Sequence, residues 1–145
     1  MALKIELKPG ERFIVGDAVI TNQGNRAKLL VEGDAPILRE KDILTPETAN
    51  SPSKRIYLVV QLLYLGGRAD EHVPLLNTLA EDLMTAAPSM APYVESVTKA
   101  ILTNDLYKAL KEAKAMIAYE KELIGHATGS SASIRTDSTT DSQST

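Results

Sequence analysis

Basic residues recur through the first 55 positions of the chain, and their chemistry is that of phosphate binding. They form four groups: Lys4, Lys8 and Arg12; Arg26 and Lys28; Arg39 and Lys41; Lys54 and Arg55. Ammonium and guanidinium groups bind phosphate oxygens through charge-assisted hydrogen bonds. The same stretch contains eight acidic residues. A phosphate-binding face therefore forms only if the fold sorts the two signs onto different surfaces, and a solvated face of mixed charge is the alternative.

Residues suited to catalysis or metal binding are few. The chain has no cysteine and two histidines, and neither histidine has a partner at metal-ligand spacing. His72 follows Asp70 and Glu71, which together could bind a divalent ion or form a solvated helix start. His126 follows a predicted helix end, where a cationic ring interacts with exposed carbonyls. Motifs of the GxSxG, GxGxxG and phosphate-binding-loop types are absent. We expect no enzyme activity, no cofactor and no metal.

Composition narrows the class of protein further. The net charge of −3 over 145 residues excludes a bulk basic protein of the histone type, although a local basic patch is compatible with it. One Phe, five Tyr and no Trp argue against a broad aromatic platform for stacking bases. The N-terminal MALKIELKPG has charges within its apolar run, and IYLVVQLLYL at 56–65 is too short to span a bilayer. We expect a soluble, cytoplasmic protein with no membrane partner.

Short strands are predicted to position the basic residues of the first 44 positions. The segment LKIELK alternates apolar and charged residues, which is typical of a half-buried strand. RAKLLVEG alternates in the same way and places Lys28 and Glu32 on one face. NQGN at 22–25 predicts a hairpin turn. The five predicted strands are LKIELK, ERFIV, AVIT, RAKLLVEG and ILREKDI.

The last of these strands, ILREKDI, carries four consecutive charges. If the strand continues to its end, alternation places Arg39 and Lys41 on one face and Glu40 and Asp42 on the other. Such a face could contact phosphate. The same run could also be an ordinary charged strand edge.

Residues 45–127 predict helices. The apolar run at 56–65 follows two candidate caps, Thr45 and Ser51, each of which precedes a proline, and Gly66 ends the run. Three further helices follow: one ends at Pro88, the next is capped by Ser89, and the last is capped by Asn104 and stopped by Gly125.

The sequence from 128 to 145 is rich in Ser, Thr and Asp and predicts a disordered tail. The expected fold is therefore α+β in three parts. A small antiparallel sheet or open barrel of about five strands occupies 1–44. A bundle of about four helices occupies 45–127, and the tail follows.

The predicted β region resembles the carbon-storage regulator family of small dimeric RNA-binding proteins. The matching stretches are LKIELKPGERFIVGD, GNRAKLLVEGDAP and LREKDI, within residues 3–43. The chain as a whole resembles the FlbT family of flagellar biosynthesis regulators. That resemblance is carried by MALKIELKPGERFIVGDAVITN, EGDAPILREKDILTPETA and KRIYLVVQLLYL, up to about residue 65, with a helical remainder of matching length.

The FlbT resemblance implies a post-transcriptional repressor of flagellin synthesis. Such a protein acts at the 5′ untranslated region of flagellin mRNA and promotes decay of the message, so the implied partner is the flagellin mRNA leader. In the carbon-storage family an Arg of the last strand contacts RNA, and Arg39 is the matching position. The corresponding Arg of the first strand is Leu7 here, followed by Lys8. The expected RNA contacts are Arg39, Lys41, Lys8, Lys4 and Arg12.

A second hypothesis is a protein-binding adaptor or a flagellin-associated chaperone acting through the helices. Residues 57–128 contain six basic and nine acidic residues, a net charge of −3, and no basic patch is expected there. The partner would be flagellin or another flagellar regulatory protein. The oligomeric state stays open between a homodimer of the carbon-storage type and a monomer whose helices cover the sheet edge.

Overall fold

Five short strands and four helices follow one another along the chain, which confirms the predicted α+β class. The computed structural model describes residues 2–132, with side chains up to residue 126. The strands are β1 (Ala2–Leu7), β2 (Arg12–Val15), β3 (Ala18–Thr21), β4 (Ala27–Glu32) and β5 (Ile37–Arg39). The helices are α1 (Pro52–Tyr64), α2 (Ala69–Ala86), α3 (Ala91–Leu102) and α4 (Leu106–Ala132).

The described chain groups into two compact units that divide between Ala80 and Glu81. The first contains all five strands, α1 and most of α2, and the second contains α3 and α4. The boundaries that composition predicts at residues 44 and 127 stay predictions. Helix α4 runs to Ala132, so the predicted stop at Gly125 is wrong. Residues 128–132 of the predicted tail belong to α4, and the rest of that tail lies outside the described residues.

The strands of the first unit form two antiparallel sheets. One sheet pairs β1 with β4, and the other has the order β3-β2-β5. Three buried side chains, Ile5, Leu7 and Phe13, form the core of this β region, with partly buried apolar residues around them. Those surrounding residues are Val15, Leu29, Val31 and Ile37. The alternation seen in the sequence therefore does set which strand faces are buried.

The turn between β1 and β2 is fixed by its sequence. The Glu11 N–H donates to the Lys8 carbonyl at 3.0 Å, with Pro9 and Gly10 between them. Gly10 has a φ of +81°, which is the conformation that the third position of a type II turn requires. The Glu11 carboxylate also accepts the Lys8 N–H at 2.9 Å. This turn directs the chain from one sheet to the other.

The prediction of a hairpin at NQGN is wrong, because the two strands that flank it do not pair with each other. Strand β3 pairs with β2, while β4 pairs with β1, so residues 22–25 carry the chain between sheets. Asn22 fixes this crossing, because its side-chain amide donates to the carbonyls of Leu7 (3.1 Å), Lys8 (3.1 Å) and Asn25 (2.9 Å). Asn and Gly allow a bend here, but long-range pairing decides which strands it joins.

The predicted last strand is shorter than expected. Strand β5 ends at Arg39, and Glu40–Asp42 form a 3₁₀ helix. The prediction that Arg39 and Lys41 alternate on one strand face is therefore wrong. The physical reason lies in α1, whose side chains take up the backbone groups that a longer strand would offer to a neighbour.

Three polar side chains on one face of α1, which we call the α1 polar row, bind the backbone of residues 37–44. The Tyr64 hydroxyl accepts the Ile37 N–H at 3.3 Å and donates to the Ile37 carbonyl at 3.2 Å. The Gln61 amide accepts the Leu44 N–H at 2.9 Å and donates to its carbonyl at 3.0 Å. The Tyr57 hydroxyl donates to the Asp42 carbonyl at 2.7 Å. These residues lie four and three apart, so they share a helix face.

Helix α1 begins and ends as its sequence predicts. Ser51 is the N-cap, since its hydroxyl accepts the Lys54 N–H at 3.2 Å. The alternative start at Thr45 forms only an isolated turn with Thr48. Gly66, at a φ of +102°, ends the helix as predicted.

In the second unit, α3 and α4 are joined by a tight turn in which Asn104 and Asp105 have different roles. Asn104 adopts a φ of +58° and donates its N–H to Ile101, while the Asp105 N–H reaches the Ala100 carbonyl. This is the left-handed ending of α3. The Asp105 carboxylate then accepts the Lys108 N–H at 3.2 Å, so Asp105 caps α4 and the predicted Asn104 cap is wrong.

The predicted Ser89 cap is also wrong, because Pro88–Met90 form a short 3₁₀ helix before α3. Ser89 lies inside that turn. The N-cap position of α3 is Met90, whose side chain makes no capping hydrogen bond.

Candidate nucleic-acid interface

Arg39 lies at the seam between the two sheets of the first unit. In the β2–β5 register it lies opposite the buried Phe13, so both side chains project from the face that packs toward the other sheet. The Arg39 Nη2 donates to the Lys4 carbonyl on β1 at 3.4 Å. The structure thus brings together two of the residues expected to bind RNA, and Arg39 remains exposed.

The outward face of the β1–β4 sheet carries charges around one exposed leucine. Lys4 pairs with Leu30 across the strands, and Glu6 pairs with Lys28. Leu30 is 57% exposed, while Glu6 forms an ion pair with Arg26 at 3.1 Å. Arg26 therefore offsets the charge of Glu6, while Glu32, opposite Ala2 on the same face, remains as an exposed acid.

Lys28, Arg26 and Leu30 were not among the expected RNA contacts. The alternation of RAKLLVEG did place Lys28 outward, and the structure confirms that orientation. What the sequence alone lacked was the pairing of β4 with β1, which sets Lys28 and Leu30 beside Lys4.

Arg12 is held by an acidic neighbour. Its Nε lies 3.4 Å from Glu40 Oε1, and its backbone N–H donates to the same oxygen at 3.2 Å. Both side chains are largely exposed, so the ion pair contributes little to stability. It does place a carboxylate against the Arg12 charge, which lowers the attraction of Arg12 for phosphate.

Lys8 and Lys41 lie outside strands. Lys8 begins the type II turn after β1, and Lys41 is the middle residue of the 3₁₀ helix, between Glu40 and Asp42. Both side chains are exposed. The expected RNA contacts therefore divide into the Lys4–Arg39 pair at the seam, the acid-bound Arg12, and two exposed lysines on turns.

Within the part of the chain that the structure describes, no group of three or more His, Asp or Glu residues is arranged to hold a metal ion. Among residues 2–132, none of the helices has the length and apolar character needed to cross a bilayer.

Comparison with known proteins gives a consistent assignment. The family model "Flagellar protein FlbT" matches residues 3–124. A protein of Bradyrhizobium diazoefficiens named "probable flagellum biosynthesis repressor protein FlbT 1" is 53% identical over 126 residues, covering 86% of each chain. A Rhodopseudomonas palustris relative named "probable flagellum biosynthesis repressor protein FlbT" is 48% identical over 124 residues, covering 86% of this chain and 98% of the relative.

A more distant relative, the "flagellum biosynthesis repressor protein FlbT" of Caulobacter vibrioides, is 34% identical over 129 residues and covers 87% of this chain and 92% of the relative. No solved structure matches the chain. The matched region includes every strand and extends into α4, so the similarity covers the whole of the β region and most of the helical part. The chain belongs to the FlbT family of flagellar proteins.

Proposed function

We propose that this protein is a post-transcriptional repressor of flagellin synthesis in the cytoplasm. It binds the 5′ untranslated region of flagellin mRNA and promotes decay of that message. The observation that carries the proposal is membership of the FlbT family, whose relatives from three genera bear the name of flagellum biosynthesis repressors. No enzymatic activity of its own is required for this role.

The seam between the two sheets is the proposed RNA-contact surface, with Arg39 and Lys4 at its centre. A guanidinium has five N–H donors, so one bond to the Lys4 carbonyl leaves donors that can reach phosphate oxygens. Lys8 and Lys41 add exposed positive charge nearby in sequence, and Arg12 contributes less because of Glu40. Leu30 offers an apolar contact for an unpaired base.

Repression follows from where such a protein binds. A protein on the leader covers sequence that the ribosome needs, and an untranslated message is open to nucleases. Apart from Leu30, the proposed contact residues are Lys and Arg, which hold phosphate through charge. A separate ribonuclease then cleaves the RNA.

The test is binding of flagellin leader RNA by the full chain across a salt series. We expect binding that weakens steeply as salt rises, because phosphate contacts release counterions. Arg39→Gln should weaken binding about fivefold at 0.1 M salt, which corresponds to one lost phosphate contact. Arg39→Lys is the matched control because it retains the charge.

Since Arg39 also joins β5 to β1, thermal unfolding of both variants must accompany the binding curves. A weakened Arg39→Gln that unfolds like wild type supports a direct contact. Absence of binding by folded wild-type protein at low salt would overturn the proposal.

A second candidate is a protein-binding adaptor or flagellin-associated chaperone. The observation that favours it is the connection between α3 and α4, where Leu102 is 81% exposed and Tyr107 is 56% exposed. Co-purification of flagellin or a flagellar regulatory protein with wild type, but not with Leu102→Ser, would support this function. Retention of that partner by Arg39→Gln would show that it does not depend on the RNA surface.

A further inference from the structure

Helix α4 presents a row of basic residues on its exposed side. Tyr107, Lys111, Lys114 and Lys121 follow one another at intervals of four, three and seven residues, so they lie along one line of the helix surface. Lys108 lies beside this row. All five side chains are exposed. We call this set the α4 basic row.

The helical period separates the charges of α4 by sign. Glu120 is only 8% exposed, and Glu112 is partly buried. Within residues 106–124, the exposed charged side chains are four lysines and one acid, Glu122. The net charge of −3 over residues 57–128 conceals this row, because apart from Glu122 the acids of that range lie on other elements or on the less exposed sides of α4.

The α4 lysines also differ from the arginines of the β region in their surroundings. Arg12 lies against Glu40, and Arg26 lies against Glu6. For Lys108, Lys111 and Lys121, no carboxylate of the described residues lies within salt-bridge distance. Lys111 Nζ instead lies 4.9 Å from the centre of the Tyr107 ring.

We propose that the α4 basic row is a second RNA-contact surface, which binds the phosphates of a single strand irrespective of its sequence. This inference rests on the proposed RNA-binding function. At about 1.5 Å of rise per residue, Lys111 and Lys121 are about 15 Å apart along the helix, a length that spans several nucleotides. The exposed Tyr107 ring at the start of the row offers one base a stacking surface.

The composition of the row favours a nucleic acid over a protein partner. Lysine is depleted in protein–protein interfaces, whose cores are apolar and aromatic. Interfaces with nucleic acids are polar and strongly positive. Between Tyr107 and Lys121 the exposed apolar neighbours of the lysines are small, Ala115 and Ala118, and the one large exposed apolar residue beyond Lys121 is Ile124, so a protein partner would find little continuous apolar surface to bury.

The test uses the full chain with three substitutions together, Lys108→Gln, Lys111→Gln and Lys121→Gln. Lys114 is left unchanged because it already interacts within the protein. Binding is measured for the flagellin leader RNA and for a scrambled RNA of equal length, over a salt series. We expect the slope of log affinity against log salt to fall by about 2, and affinity at 0.1 M salt to fall about a hundredfold, equally for both RNAs.

Two controls are matched to this variant. Replacing the same three lysines with arginine should preserve both affinity and slope, because the charge is retained. Glu122→Gln, on the same exposed side of α4, should leave binding unchanged or tighten it. Ultraviolet crosslinking of wild type should place RNA on the peptide that contains Tyr107.

The outcomes separate the two proposals. If the glutamine variant binds both RNAs like wild type while Arg39→Gln binds weakly, the α4 inference is overturned and the proposed function stands. If the glutamine variant loses a protein partner but no RNA affinity, the row binds an acidic protein and the inference is again overturned. If folded wild type binds no RNA at low salt, both proposals fail.

Discussion

The two units of the molecule use their polar side chains in different ways. In the first unit, polar groups reach backbone atoms far along the chain: Gln61 binds Leu44, and Asn22 binds Leu7. In the second unit, the side-chain bonds of Thr85, Ser96 and Asp105 close within four residues.

This difference follows from secondary structure. A helix satisfies its own backbone, so the polar side chains on its surface remain available to solvent or to a ligand. Short strands leave backbone groups that need partners, and the α1 polar row supplies them. The same contrast applies to charge, since Arg12 and Arg26 are paired with acids while Lys108, Lys111 and Lys121 have no carboxylate of the described residues within salt-bridge distance.

The largest loss of stability is expected when a long-range hydrogen bond of the first unit is removed. Gln61→Leu keeps the side-chain size but leaves the N–H and C=O of Leu44 without their partners, and Gln61 is only 4% exposed. We expect the free energy of unfolding to fall by about 2–4 kcal/mol. Urea denaturation followed by circular dichroism measures it. Arg55→Gln, on the exposed side of the same helix, should change it by less than about 0.5 kcal/mol, and equal stability of the two variants would contradict the role given to Gln61.

A smaller effect is expected for the local cap of the second unit. Asp105→Ala removes the acceptor for the Lys108 N–H and should lower the free energy of unfolding by about 1 kcal/mol. Asp105→Asn keeps a capping oxygen and should lie close to wild type. A loss from Asp105→Ala as large as that from Gln61→Leu would remove the distinction between local and long-range bonds.

The smallest effect is expected for the ion pair of Arg12 and Glu40, whose side chains are 62% and 45% exposed. A double-mutant cycle with Arg12→Ala and Glu40→Ala should give a coupling energy below about 1 kcal/mol, which decreases as salt is added. Glu40→Ala alone should cost more than Arg12→Ala alone, because Glu40 also accepts the Arg12 backbone N–H. A coupling energy that is large and independent of salt would refute this view of the pair.

Local signals in the sequence predicted local structure well. Ser51 before Pro52 predicted the start of α1, Gly66 predicted its end, and alternation predicted the outward position of Lys28. In each case the controlling interaction lies within a few residues, so the pattern contains the information.

The errors arose where distant residues decide the outcome. NQGN looks like a hairpin turn, yet the pairing of β1 with β4 makes it a crossing between sheets. ILREKDI alternates like a strand, yet Tyr57 and Gln61, at least 15 residues further on, hold its second half in another conformation. The candidate site was affected in the same way: Arg39 was found by resemblance, while its position at the Lys4 carbonyl depends on how two sheets meet.

The α1 polar row also determines how the molecule can be divided for experiments. A fragment that ends at residue 44 would contain all five strands but would lose Tyr57, Gln61 and Tyr64. The backbone groups of Ile37 and Leu44 would then lack their hydrogen-bond partners. Pairing of strands between copies of the fragment would satisfy them. A strand-only fragment is therefore expected to self-associate. The shortest fragment expected to keep the structure of the β region extends through Gly67, because it includes all of α1.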